Sequence, residues 1–244
     1  MQLGGAWQDE QDAQMVLALE PDGFLHGDFR AAAGLRRLAG YAGRAEDGCG
    51  VPLALAMSWR PVEGGPATPE QHWASCFGGE AAGGRLALLH QISATAGLHL
   101  ESRRFRRIGA ALPESSGPVL AAQAGATLRR AAADPVEGTW RALEGASVLT
   151  LQLRDPHAGL VFGSLADREG EALLCGFADI DAGAAQQSVA LAGRRTDGTA
   201  VLALAGRLDL ERGLLTLGGL AIRGTGAGRP YGQTLIEGLR FQPA

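Results

Sequence analysis

Gly4-Gly5-Ala6-Trp7 leads into an alternating apolar run from Met15 to Leu19, the turn Pro21-Asp22-Gly23 and the return segment Phe24-Leu25-His26-Gly27. The same series of events starts again at Gly138-Thr139-Trp140. There the run is Val148 to Leu153, the turn is Asp155-Pro156-His157-Ala158-Gly159 and the return is Leu160-Val161-Phe162-Gly163. Trp7 and Trp140 stand 133 positions apart. Further matches follow in order: Leu38-Ala39-Gly40 with Leu174-Cys175-Gly176, Leu53 to Arg60 with Ser188 to Arg194, Arg85-Leu86 with Gly213-Leu214, and Phe105 with Phe241 as the closing aromatic of each copy. A repeat of this kind is one structural unit written twice.

Within each copy, apolar runs of five to nine residues are separated by Gly, Asp, Pro or Glu clusters, the pattern of successive short antiparallel strands. Eight segments fit each copy, and closing eight strands on themselves removes the edges that an open sheet would expose. The expected architecture is all-β: two eight-stranded antiparallel up-and-down β-barrels in tandem, over residues 1–110 and 135–244. The linker, 111–134, differs in character. Pro113-Glu114-Ser115-Ser116-Gly117 is loop chemistry, whereas Pro118 to Ala133 is rich in Ala, Leu and Arg. That composition, with proline suited to a first helical turn, predicts a linker helix ending at Asp134-Pro135.

The chain has 244 residues, 46% of them hydrophobic and 20% charged, an ordinary composition able to bury a substantial core. All 22 basic residues are Arg, and the net charge is −4. A negative chain argues against a nucleic-acid partner, which calls for a basic excess or stripe. The one basic run, Arg103-Arg104-Phe105-Arg106-Arg107, alternates about Phe105 and puts Arg104 and Arg106 on one face, suited to acidic residues of a neighbouring barrel. No apolar stretch approaches the roughly 18 residues of a membrane span, and Met1 to Trp7 shows neither a basic start nor an apolar signal core. The expectation is a cytosolic protein without a membrane partner. Cys49, Cys76 and Cys175 have no metal-ligand spacing and read as reduced thiols.

The first copy resembles the avidin and streptavidin family. The resemblance rests on Gly5-Ala6-Trp7, on Asp22-Gly23-Phe24-Leu25-His26-Gly27-Asp28-Phe29, on Val51 to Arg60 with its Ser58-Trp59, and on Gln71-His72-Trp73-Ala74-Ser75-Cys76-Phe77 followed by Arg85 to Ile92. It covers residues 3–108; residues 136–244 match through fewer motifs. The resemblance implies a barrel that binds biotin, with polar groups for the ureido ring and tryptophans around the ligand. Carried over by position, the family's ureido-oxygen donors fall on Asp9, Ala13 and Phe29, and its ureido-nitrogen acceptors on Ala31 and Arg103. Trp59 and Trp73 keep the aromatic wall, and His90 takes the place of a third tryptophan. Unpaired buried polar groups cost about 1–3 kcal/mol each, so biotin binding is expected to be weak or lost. In the second copy Trp59, Trp73 and His90 align with Gly193, Leu204 and Gly218, giving a pocket without donors or aromatic walls.

What the first copy retains is a mixed constellation of Asp9, Phe29, Trp59, Gln71, Trp73, His90 and Arg103. Aromatic walls with a few convergent polar groups suit a small molecule, and Arg103 with His90 suits an anionic or carbonyl-bearing one. The leading reading is a small-molecule-binding protein with its site in the first barrel and a largely structural second barrel. The alternative is a barrel enzyme of the cyclase or isomerase type, with Asp9, His90 and Arg103 as its acid, base or electrostatic groups. An interaction scaffold without a small ligand is a third reading, in which Asp9 and Arg103 neutralise each other across the barrel. His26, His72, His99 and His157 fall near turns or on outward positions, and neither a metal site nor a cofactor motif is expected. Family members pair barrels through later strands, which implies an intramolecular pseudo-dimer here, open to pairing with a second copy. Tyr231 sits where the family often lends a lid residue to a neighbouring pocket, and is a candidate cap over the first barrel.

Overall fold

The computed structural model describes residues 3–45, 50–59, 62, 73–94, 97–114, 116–125, 133–180, 185–224 and 232–244. The first copy holds β1 (Gly5–Asp9), β2 (Gln14–Leu19), β3 (Phe24–Ala31), β4 (Gly34–Ala42), β5 (Val51–Met57), β6 (Ala74–Ala82), β7 (Arg85–Ala94) and β8 (Gly97–Gly109). A helix, α1 (Ser116–Gln123), stands between the copies. The second copy holds β9 (Gly138–Ala142), β10 (Val148–Asp155), β11 (Leu160–Asp167), β12 (Gly170–Ala178), β13 (Gln186–Arg195), β14 (Ala200–Asp209), β15 (Leu214–Arg223) and β16 (Gly232–Pro243). Each copy is a closed eight-stranded antiparallel barrel. The first closes with Asp9 opposite Phe105, the second with Ala142 opposite Phe241.

The linker helix begins at Ser116, two residues before Pro118, and ends at Gln123, where the chain turns at Gly125. Residues 126–132 of the expected helix lie outside the described residues. Val119 and Ala122 of α1 pack with Phe24 and Leu160 on the outer faces of the two barrels. The Glu114 amide donates to Asp28 and the Gln123 amide group to Asp22, tying the linker to β3 and to the turn before it. His26, read as lying near a turn or on an outward position, is buried, with Nε2 2.9 Å from Glu20.

Strand alternation sends every second side chain inward. In β1, Gly5, Trp7 and Asp9 are buried and the residues between them half-exposed. The two tryptophans that announced the repeat occupy equivalent places: each indole donates to a carbonyl four residues earlier, Trp7 to Leu3 at 3.1 Å and Trp140 to Val136 at 3.0 Å. The ring fills one end of the lumen while its N–H stays satisfied. Met15, Leu17, Leu38, Leu55, Phe77 and Phe105 pack the lumen together with Trp7.

Strands β5, β13 and β14 break the alternation and are buried on both faces. One face is lumen; the other is the opposite barrel. Ala39, Tyr41, Ala54, Ala56, Ala74 and Cys76 pack with Cys175, Phe177, Ala190, Ala192, Ala203 and Ile222 in a single shared core. The small side chains let the sheets approach closely, and a Cβ on Gly78 would stand 2.8 Å from Ile222 Cδ1 and 3.0 Å from Ala203 Cβ. Contacts are reciprocal: β4 meets β12 and β13, β12 meets β4 and β5, β5 meets β13 and β14, and β13 meets β4, β5 and β6. Such reciprocity is what a two-fold relation produces. The Arg44 amide donates to Gly198 O at 3.1 Å, Arg194 donates to Asp22 O, and Gln91 Nε2 donates to Gly218 O at 2.6 Å. Gly23 turns at φ +87° and leaves the room that the Arg194 guanidinium fills.

Candidate functional site

In an up-and-down barrel the β1–β2, β3–β4, β5–β6 and β7–β8 turns share one end, here termed the mouth, opposite the end closed by Trp7. Polar side chains of the first lumen collect there. Asp9 ends β1 and organises the turn that follows: its Oδ1 accepts the Gln11 amide at 2.9 Å and the Ala13 amide at 2.8 Å. Its Oδ2 takes Arg103 Nη1 at 2.8 Å. The two neutralise each other across the β1–β8 seam rather than across the barrel, because closure makes those strands neighbours. Arg103 Nη2 also reaches Glu101 Oε2 at 3.1 Å.

His90 points into the lumen on β7, opposite Phe77 on one side and Glu101 on the other. Its ring stacks on Phe77 at 4.2 Å and 14°. Nε2 lies 2.5 Å from Ser75 Oγ and Nδ1 lies 4.0 Å from Glu101 Oε2. Among the described residues Nδ1 has no hydrogen-bond partner. Burial, seconded by the positive charge of Arg103, pushes the imidazole pKa down to about 4. A neutral ring at physiological pH follows. Asp9 and His90 therefore both face inward, but Asp9 is engaged by Arg103 and the turn amides, and the carboxylate nearest the imidazole belongs to Glu101. Asp9 therefore does not orient the imidazole, whose side-chain neighbours are Ser75, Phe77 and Glu101.

The aromatic residues assemble around a guanidinium that the sequence reading omitted. Arg36 on β4 stands opposite Phe29, is 2% exposed, and donates to Ser58 O at 3.3 Å and to Trp59 O. Its guanidinium lies 4.7 Å from the centre of the Trp73 ring, a cation–π geometry. Burial lowers its pKa. Phe29 in turn leans on Phe77, centroids 5.5 Å apart. Phe29, Trp59, Trp73, His90, Asp9 and Arg103 thus belong to one end of one lumen. Gln71 and Tyr231 lie outside the described residues, as do His72 and Cys49.

Arg36, Ser75 and Glu101 were legible only through strand phase. Arg36 alternates in step with Leu38, Ser75 with Trp73 and Phe77, and Glu101 with Arg103 and Phe105. Cys76, out of phase with that set, is buried between the barrels, where the apolar surroundings push its thiol pKa up. Arg104 and Arg106 do face outward, but with Arg85 they border a groove of ≈ 830 Å³ shared with Glu10 and Asp12 of their own barrel rather than facing the second barrel.

The ladders also correct the alignment of the two copies. Leu38 pairs with Met57 as Leu174 pairs with Gly193, so Trp59 is matched by Arg195, two residues beyond Gly193. Met57 pairs with Ser75 as Gly193 pairs with Leu202, which matches Trp73 to Ala200. Phe77 pairs with His90 as Leu204 pairs with Gly219, so Gly219 and not Gly218 replaces His90. The second mouth is consequently not free of donors. Arg195 forks onto Asp167 at 2.9 and 2.7 Å and donates to Gly170 O at 3.0 Å. Arg223 joins through Glu169 at 2.7 Å. These groups rim a cavity of ≈ 620 Å³ floored by Leu165, Leu202 and Leu239. Among the described residues no aromatic side chain lines it, and the buried guanidinium is already paired.

No family model matches the chain, and no curated protein matches it either. Among the described residues no group of His, Cys, Asp and Glu is placed to hold a metal ion, and no helix is long and apolar enough to cross a membrane.

Proposed function

We propose that the chain is a small-molecule-binding protein of the avidin-like class, with its site at the mouth of the first barrel and with biotin binding weak or lost. His90 carries the reading: it is 5% exposed and stacked on Phe77, yet its Nδ1 has no partner among the described residues. Buried polar atoms are paired as a rule, and an unpartnered one among aromatic side chains is a place where a ligand atom can complete the bonding. Trp59, Trp73 and Phe29 supply apolar burial beside it. Arg36, whose hydrogen bonds go to backbone carbonyls, supplies positive charge, so the fitting ligand has an aromatic or aliphatic body and a carboxylate or carbonyl head. Biotin fits poorly. Asp9 is saturated by Gln11, Ala13 and Arg103, and Phe29 and Ala13 have no side-chain donor for a ureido oxygen. The second barrel, with its guanidinium locked to Asp167, serves as a structural partner.

Calorimetry with biotin and a thermal-shift screen of aromatic and aliphatic carboxylates on the full chain test the reading together. Biotin shows no binding tighter than micromolar. At least one carboxylate raises the unfolding temperature, at a concentration of about 100 times Kd by the equivalent of roughly 2.7 kcal/mol, and loses its effect in Trp73→Ala and His90→Leu. A nanomolar biotin complex, or a stabilising ligand indifferent to both substitutions, overturns the reading.

A further inference from the structure

We propose that Ser75, His90 and Glu101 form a nucleophile, a general base and an orienting carboxylate at the first barrel's mouth, acting on small activated esters. The proposal rests on the reading of that mouth as a ligand site and adds a reaction to it. The three residues sit on adjacent strands β6, β7 and β8, and His90 is directly opposite Glu101 in the ladder. Ser75 Oγ is 2.5 Å from His90 Nε2, within the reach that nucleophile–base pairs require. Glu101 Oε2 stands 4.0 Å from Nδ1, longer than a closed hydrogen bond, as such contacts are in unliganded sites. The base and the carboxylate are each held by something else: the imidazole by its stack on Phe77, and Glu101 by Arg103, which Asp9 holds in turn. Strand-borne groups locked in this way keep a fixed mutual geometry.

The chemistry follows from the contacts. Ser75 Oγ bonds to the ester carbonyl carbon while its proton passes to His90 Nε2. The carbon–oxygen bond to the alcohol then breaks, and that alcohol leaves with the proton from Nε2. A water molecule attacks the acyl-serine with His90 again taking and returning one proton, which frees the carboxylic acid and restores Ser75. Ester and water become acid and alcohol, with no redox partner. Glu101 is a positioning residue that fixes the tautomer with the proton on Nδ1. The depressed basicity of His90 leaves the ring neutral and ready to accept, but makes it a weak base, which favours esters with good leaving groups such as phenols.

The test treats the full chain with diisopropyl fluorophosphate at neutral pH, where Ser75 Oγ would bond to phosphorus as fluoride leaves, and follows 4-nitrophenyl acetate hydrolysis in parallel. One adduct per chain, mapped to Ser75, is expected. Ser75→Ala abolishes it, His90→Gln slows it by about a hundredfold, and Ser102→Ala, on the exposed face of β8, leaves it unchanged. Glu101→Gln lowers kcat for the acetate about tenfold with KM retained and with the unfolding temperature unchanged, the second readout excluding a loss of folded chain. A folded wild-type chain that stays unlabelled, is labelled elsewhere, or is labelled equally well in His90→Gln overturns the proposal. Failure of labelling with carboxylate stabilisation intact leaves a binding site without chemistry, whereas failure of both removes the binding reading as well.

Discussion

Gly78→Val places a branched side chain on the face of β6 that meets the second barrel. The first added atom alone would lie 2.8 Å from Ile222 Cδ1 and 3.0 Å from Ala203 Cβ, against the roughly 3.5–4.0 Å at which carbon atoms pack best. The tip of Ile222 can rotate away. Ala203 Cβ is fixed to its strand, so the two sheets must separate by about 0.5–1 Å, enough to forfeit a quarter to a half of the dispersion well at each facing pair. Overpacking of this kind costs about 1–3 kcal/mol. For a chain of this length each kcal/mol moves the unfolding temperature by roughly 2–4 °C, and a loss of about 4–8 °C is expected for a mid-range cost of ~2 kcal/mol. Gly109→Val is the matched control: it also adds a β-branched residue to a strand, but a Cβ there has nothing within 4 Å. Scanning calorimetry compares the two. If Gly78→Val unfolds at the temperature of Gly109→Val, the close packing of β6 against β14 and β15 is not part of the native structure and the shared core must be redrawn.

The buried imidazole makes stability depend on pH with a definite sign. Burial moves the His90 pKa from 6.5 to about 4, so its contribution is fully present above pH 6.5 and is lost as pH falls toward 4; linkage gives a loss of about 2.5 kcal/mol between pH 7 and 4.5. Urea midpoints at those two pH values show this component in the wild type and not in His90→Leu. In the second barrel, Arg195→Ala strips the partner from Asp167, a pair with side chains 6% and 18% exposed, and is expected to cost about 2–3 kcal/mol after allowance for the carboxylate's access to water. Arg223→Ala, whose pair with Glu169 is 49% and 41% exposed, changes stability by less than about 0.5 kcal/mol. Equal losses in the two variants would contradict the assigned burial.

The architecture was readable because its determinants are local and repeated. Alternation in Gly5–Asp9 and Val148–Asp155, with a turn sequence after each run, gave strands, and the second writing of the Gly-x-Trp start gave a second barrel. The face between the barrels was also written in the chain, as the Ala- and Leu-rich near-continuous apolar runs Val51–Met57 and Ala200–Gly206, the way a strand covered on both faces reads. The site was less legible. Asp9 and Arg103 are 94 positions apart, and that they are neighbours follows from barrel closure, not from spacing. Arg36 sits beside Arg37 in what reads as a solvated charge pair, and strand phase alone separates the buried guanidinium from its neighbour. The identity of His90's partners depended on register: a choice between Asp9 and Glu101 is a choice between strands, which composition cannot make. The copy-to-copy alignment slipped at Trp59, Trp73 and His90 because the turns between strands differ in length, and only the hydrogen-bonded ladders restore the match.

Native mass spectrometry of the full chain purified from its own source weighs the ligand site most directly. A small molecule bound at one per chain, absent from Trp73→Ala and retained in Arg195→Ala, is the predicted result, since among the described residues the unpartnered imidazole and the aromatic wall belong to the first mouth. A chain that emerges empty under every ionisation condition that preserves the folded charge distribution, or one that carries its ligand undiminished in Trp73→Ala, contradicts the account.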